Sequence, residues 1–188
     1  SYIDRILHTQ NGKKAQIINF NINYVTERLG KSLVKIYSKL IFNYVTSLKE
    51  RGSKPFNIII EEAHRYVQND IDSDVLGYNI FERIAKEGRK YGILLGLISQ
   101  RPSEISETTL SQCNNFIIFK MTHPTDIAYI KKVVPFMSEE NTEKMKSILP
   151  GNALCFGTAF KMPLLVKFEY PDPAPQSNNV NLGSVWFK

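Results

Sequence analysis

The run FNIIIEEAHRYV, Phe56 to Val67, constrains this chain more than any other stretch, because an apolar segment stops abruptly at two adjacent carboxylates, Glu61 and Glu62. Phe56 to Ile60 is apolar almost throughout, as expected of a strand covered on both faces in a parallel sheet. In an open α/β sheet, ligands bind at the carboxyl ends of the strands, so an acidic pair there marks the expected site. Hydrolysis of a nucleoside triphosphate uses two acidic functions in such a place. One holds the waters of Mg2+, and the other orients or deprotonates the water that attacks the terminal phosphate. Adjacent residues at a strand end can divide these tasks because their side chains leave in different directions. The alternative is a surface pair that merely ends a strand; the apolar run leading directly into Glu-Glu-Ala-His favours function. His64, on the turn that follows, is expected to hydrogen-bond locally rather than to act as ligand or base.

The rest of the pattern alternates strands with helices. Ala15 to Phe20 reads as a strand, and Leu29, Leu33, Ile36, Leu40, Tyr44 and Leu48 recur at helical spacing until Arg51-Gly52-Ser53. Asn79 to Tyr91 reads as a helix stopped by Gly92, followed by strands at Ile93 to Ile98 and Phe116 to Lys120. Helices are expected after Pro124 and after Ser138, and late strands at Asn152 to Thr158 and Leu164 to Phe168. This order predicts βαβ units in an α/β fold, with a mostly parallel sheet flanked by helices on both faces. With 188 residues and 43% hydrophobic content the chain can bury a real core. Residues 1–170 are expected to form one domain and 171–188, rich in Pro, Asn and Ser, an extended tail. No apolar run approaches the roughly 20 residues that span a bilayer, so the expectation is a cytoplasmic protein with no membrane partner. Cys113 and Cys155 lack metal-ligand spacing and read as idle thiols.

Gly30-Lys31-Ser32 imitates the end of a phosphate-binding loop, G-x-x-x-x-G-K-[ST]. The position of the first glycine is held by Val25, whose branched side chain disfavours the turn, and Gly30 lies within an unbroken helical period. Lys31 is therefore expected to have no phosphate role.

A second feature matches the acidic pair. LLGLISQRPSEIS carries an apolar strand into Ser99-Gln100-Arg101-Pro102, where a glutamine could hydrogen-bond both the γ-phosphate and the attacking water. Between the two lies FERIAKEGRKYG, in which Arg83, Lys86, Arg89 and Lys90 are either a solvated face or a source of guanidinium for a neighbouring subunit's nucleotide. The net charge of +6 suits a polyanionic partner without requiring one.

Taken together, NIIIEEAHRYV, ERIAKEGRKYGILLGLISQRPSEISETTLSQCNNFIIFKMTHPTD and LPGNALCFGTAFKMPLLVKFEYP resemble the C-terminal part of the HerA-type ATPases, hexameric DNA translocases of the HerA/FtsK branch of P-loop NTPases. The resemblance runs from about Ala15 to Pro173. It implies a partial RecA-like core and an ATPase that uses ATP and Mg2+. By position, Glu61 would be the Walker B carboxylate acting on Mg2+ through water, Glu62 the catalytic glutamate and Gln100 the sensor. Arg101 would contact nucleotide. Arg89 would be the arginine acting across a subunit boundary, with Arg83 and Arg101 as weaker candidates. The first acidic position, often Asp in that family, is Glu61 here. The family's Walker A loop precedes these motifs and nothing before Ala15 matches it, so the chain is expected to be a C-terminal portion of a longer protein, active only with that loop. The resemblance further implies a homo-oligomeric ring, a hexamer, that moves or unwinds double-stranded DNA with a nuclease or other effector, in DNA-end processing or phage defence. The competing reading is a ring scaffold that uses nucleotide to organise and regulate an effector enzyme.

Overall fold

The computed structural model describes residues 2–8, 12–68, 78–134, 137–160, 162–175 and 186. The chain divides into two compact units, one of Ser1–Asn114 with Thr122–Ser138, the other of Asn115–Met121 with Glu139–Lys188. Most of the expected tail lies outside the described residues.

In the first unit, a short helix α1 (Tyr2–Ile6) precedes the long helix α2 (Glu27–Thr46). α2 forms where its periodicity predicts, yet its buried stripe is Gly30, Ser38, Phe42 and Val45. Leu29, Ile36 and Leu40, on the expected stripe, are exposed. Both stripes repeat at three and four residues, so periodicity alone could not select between them. Ala15 to Phe20 forms no strand among the described residues. Apart from the Ala15 N–H, which donates to Leu7 O at 2.7 Å, no backbone hydrogen bond from the described residues reaches the segment, and Ile17 is 89% exposed. Branched residues favour extended backbone, but a strand is stabilised by its cross-strand pairs.

Strands β1 (Phe56–Ile60) and β2 (Ile93–Leu97) pair in parallel, from Phe56↔Ile93 to Ile60↔Leu97. The crossover between them carries α3 (Ile80–Glu87). Asn79 caps it, its Oδ1 accepting from the N–H groups of Phe81 (3.0 Å) and Glu82 (3.3 Å), an arrangement worth about 1 kcal/mol. Ile80, Phe81 and Ile84 are almost wholly buried, each contributing roughly 1.5–3 kcal/mol relative to exposure. A 3-10 turn, Gly88–Tyr91, follows directly, and Tyr91 meets Phe42 edge to face at 5.9 Å. Gly92 then reverses the chain at φ 80°, where an added Cβ would also lie 3.1 Å from the Gly52 Cα. One face of this small sheet departs from expectation. Ile59 and Leu94 are 66% and 62% exposed, so among the described residues the strands are not covered on both sides.

Beyond β2, α4 (Glu107–Ser111) and α5 (Pro124–Val133) complete the first unit. The second unit holds β3 (Asn115–Ile118), α6 (Glu139–Ser147), β4 (Asn152–Gly157) and β5 (Leu164–Lys167). Its core gathers Ile118, Met145, Ile148 and Ala153 to Phe156, with Phe116 stacked on Phe156 at 5.4 Å. Here the expectation of a mostly parallel sheet is corrected. β3–β4–β5 is antiparallel throughout, and only β1–β2 is parallel. A short link from β4 to β5 forces antiparallel pairing of those two, whereas the β3–β4 direction leaves no mark on the apolar pattern.

Cys113 is half-buried and Cys155 buried; both thiols are free, and burial pushes both pKa values up. That suits idle thiols. Among the described residues no helix is long and apolar enough to cross a membrane.

Candidate functional site

The acidic pair leaves β1 through a local break in the ladder. The Ile98 N–H donates to Ile60 O and the Ala63 N–H donates to Ile98 O, both at 2.9 Å. Backbone bonding to the β2 side therefore skips Glu61 and Glu62, which bulge out beyond the strand end. Glu62 makes this possible by adopting φ 49° and ψ 45°, the one positive φ at a non-glycine among the described residues. A left-handed residue with a Cβ costs about 1–2 kcal/mol, a strain that surrounding contacts must offset.

Those contacts come from the end of β2 and from the 3-10 turn Ala63–Arg65. Gln100 Nε2 donates to Glu62 Oε1 at 3.2 Å, so two strand ends are joined through side chains. His64 Nδ1 lies 3.4 Å from Glu62 Oε2 and 3.1 Å from Ser99 Oγ. Ser99 Oγ also accepts from the Arg101 N–H at 3.0 Å. Local hydrogen bonding was the expectation for His64; its contact with Glu62 is local, whereas its shorter one reaches Ser99, distant in sequence and passed over. The register that sets residues 61–64 beside 98–101 is needed to see the pairing.

The other predicted residues are disposed differently. Glu61 is exposed, with no ion pair among the described residues. Arg101 extends its guanidinium to Glu104, with Nη1 to Oε1 at 3.1 Å. The loop beyond it is fixed by Asp126, buried in the first turn of α5, whose Oδ1 accepts from Ser103 N (3.0 Å) and Ser103 Oγ (2.6 Å). His123 Nδ1 lies 3.2 Å from the second Asp126 oxygen. This clamp was not anticipated, since a first-turn Asp after Pro124 reads simply as a favourable helix start. Arg83 is committed within its own chain. It stacks over Phe42 and Tyr78 and pairs with Glu87 at 3.5 Å, and hydrogen bonding to Tyr78 is the chief cause of its raised pKa. Arg89 is exposed on the turn that precedes β2. It is thus at the opposite end of the parallel pair from Gln100, on the order of 16 Å away along a five-residue strand at ~3.3 Å per residue.

No group of three or more His, Cys, Asp or Glu side chains converges to hold a metal ion among the described residues. The donor set nevertheless fits Mg2+ as it is usually bound, by one or two carboxylates with waters and substrate phosphates. Glu61 is the free carboxylate for such a role.

Lys31 projects from within α2. Its Nζ lies 3.3 Å from Glu27 Oε1 and donates to Gln68 Oε1 at 3.5 Å. Lys31→Ala in the full-length protein should change nucleotide affinity by less than about threefold, roughly 0.7 kcal/mol. Titration with a fluorescent nucleotide checks this, and a loss of about tenfold or more would restore a phosphate role.

No protein-family model matches the chain. Among solved structures, the genome-packaging NTPase B204 of Sulfolobus turreted icosahedral virus 2, in complex with ATP-gammaS, superimposes with a TM-score of 0.60 at 16% identity, covering 90% of this chain and 72% of that one. VirB4 of Thermoanaerobacter pseudethanolicus gives a TM-score of 0.58 at 13% identity, covering 79% of this chain and 39% of that one. The fold is therefore similar to the folds of B204 and VirB4. Among curated proteins, the DNA double-strand break repair helicase HerA of Sulfurisphaera tokodaii is 34% identical over 175 residues, 89% of this chain and 34% of that protein. A probable helicase of Methanocaldococcus jannaschii is 38% identical over 142 residues, 76% of this chain and 27% of that protein. The chain is a homologue of the HerA-type helicases, and it spans 34% and 27% of the length of these two relatives.

Proposed function

We propose that this chain supplies the hydrolytic side of an ATP-driven ring motor, a hexamer that translocates or unwinds double-stranded DNA. Glu62 is the base that orients and deprotonates the attacking water. Glu61 would hold Mg2+ through water, and the metal, when bound, would supply charge neutralisation at the phosphates. Gln100 senses the terminal phosphate, Arg101 exchanges Glu104 for nucleotide, and Arg89 acts on the neighbouring subunit's site. A phosphate-cradling loop comes from residues outside these 188. The observation that carries this reading is the Gln100–Glu62 hydrogen bond. It couples the side chain that would meet the γ-phosphate to the carboxylate that would meet the water, so phosphate arrival can be passed to the base. The homologues' description as DNA repair helicases supports DNA as the track. A nuclease or other effector acts with the ring in DNA-end processing or phage defence.

The motor is distinguished from a nucleotide-dependent scaffold by its response to DNA. Turnover by the full-length protein should rise at least about threefold with duplex DNA, and duplex affinity should fall steeply with salt as phosphate contacts release counterions. Turnover indifferent to duplex would overturn the motor in favour of the scaffold.

A further inference from the structure

We infer that His64 is a positioning residue that sets the Glu62 carboxylate through an Nδ1 proton, with Ser99 as the anchor of the imidazole. The inference rests on Glu62 being the base. It begins from one ring nitrogen facing two oxygens, Ser99 Oγ at 3.1 Å and Glu62 Oε2 at 3.4 Å. An ionised carboxylate only accepts hydrogen bonds. A bare Nδ1 would turn a lone pair against Oε2, whereas a protonated Nδ1 offers hydrogen to both oxygens. Ser99 can receive it, because its Oγ uses one lone pair for the Arg101 N–H and keeps a second. The pair of contacts therefore selects the Nδ1–H form, and the other ring nitrogen is left for whatever lies beyond.

The consequence falls on Glu62. Its side chain is 45% exposed and would sample several rotamers if unheld, while that of His64 is only 15% exposed. Gln100 takes Oε1 and His64 takes Oε2, so each oxygen has one fixed partner and one lone pair remaining for water. The left-handed backbone at Glu62 determines where the side chain starts, and the two contacts determine where it ends. A general base placed in this way loses rate, and not substrate affinity, when its orientation is released.

The test combines spectroscopy with kinetics on the full-length protein. Solid-state NMR of nucleotide-free protein, selectively labelled with 15N-histidine, should show the His64 ring protonated at Nδ1. The resonance is assigned by its loss in His64→Asn. A bare Nδ1 would overturn the inference whatever the kinetics. His64→Ala should lower kcat for ATP hydrolysis at least about tenfold, with KM changed less than about threefold. His64→Asn, whose amide nitrogen superimposes on Nδ1, should recover most of kcat. His64→Gln, whose amide nitrogen matches Nε2, should not. Equal behaviour of the two amides, or kcat within about threefold of wild type for His64→Ala, would count against positioning. Glu62→Gln measured alongside separates the two ideas. If Glu62→Gln is inactive while His64→Ala turns over normally, only the positioning role fails. If Glu62→Gln is active, the base assignment fails and the ring-proton measurement alone decides whether the clamp exists.

Discussion

Glu62→Gln should lower steady-state ATP hydrolysis by the full-length protein about 10²- to 10⁴-fold, the span a general base ordinarily contributes, while nucleotide binding persists. The substitution is a narrow one. The amide keeps the length of the side chain, and its oxygen can still accept from Gln100, so the link between the strand ends survives. The left-handed backbone at residue 62 is also retained, because the change lies beyond Cβ. What disappears is the anionic oxygen that takes the proton from water, together with the acceptor that faces His64 Nδ1. Single-turnover and steady-state assays should both show the loss, and equilibrium titration should show affinity within about threefold of wild type. Turnover within about threefold of wild type, roughly 0.7 kcal/mol of barrier, would sink the assignment. Lost affinity together with lost folding would be visible by circular dichroism and would speak of the strained turn rather than of the base.

The acidic pair was legible because its signal is local. Phe56–Ile60 forms the strand that the apolar run predicts, and the carboxylates follow at its end. The helix at Asn79 and its stop at Gly92 were legible for the same reason, since a cap and a left-handed glycine act on neighbouring residues. Direction and face were not. Nothing in FIIFK says that β3 runs against β4, and nothing in α2 says that Phe42 and Val45 are buried while Leu29 and Leu40 face outward. Both depend on partners distant in sequence. The left-handed Glu62 was hidden for another reason. Such a backbone is expected at glycine or asparagine, and it is tolerated here because the strand bonds at Ile98 tie down the residues on either side. The cluster of Ser99, His64, Gln100 and Glu62 follows from that turn and from the β1–β2 register together, so it could be read only in part before the pairing was known.

Arg89→Ala should abolish most hydrolysis in assembled rings, by an amount comparable with loss of an arginine that stabilises phosphoryl-transfer charge, about 10³-fold or more. The geometry argues for action in trans. Arg89 precedes β2, whereas Gln100 and the acidic pair lie at the opposite ends of the parallel strands, so its side chain cannot span the strand to its own chain's Glu62. Both Arg89 and Arg83 are exposed, but the Arg83 guanidinium is engaged by Tyr78, Phe42 and Glu87. A cation with no ion-pair partner among the described residues, at a site remote from its own carboxylates, can serve a neighbour in a head-to-tail ring, where each interface joins two different surfaces. Mixing subunits tests this directly. In trans, a site works when one subunit has Glu62 and the next has Arg89. Rings formed from Glu62→Gln and Arg89→Ala subunits should then recover hydrolysis, because some interfaces combine the intact glutamate of one with the intact arginine of the other. Were both residues used within one chain, no mixture of these two could build a complete site. The double substitution supplies the converse. Doped into wild type, Glu62→Gln/Arg89→Ala subunits should spoil two interfaces each and make activity fall with the square of the wild-type fraction, while either single variant should give a linear fall. If complementation is absent and the double variant is no steeper than the singles at equal assembly, Arg89 has no role across the boundary.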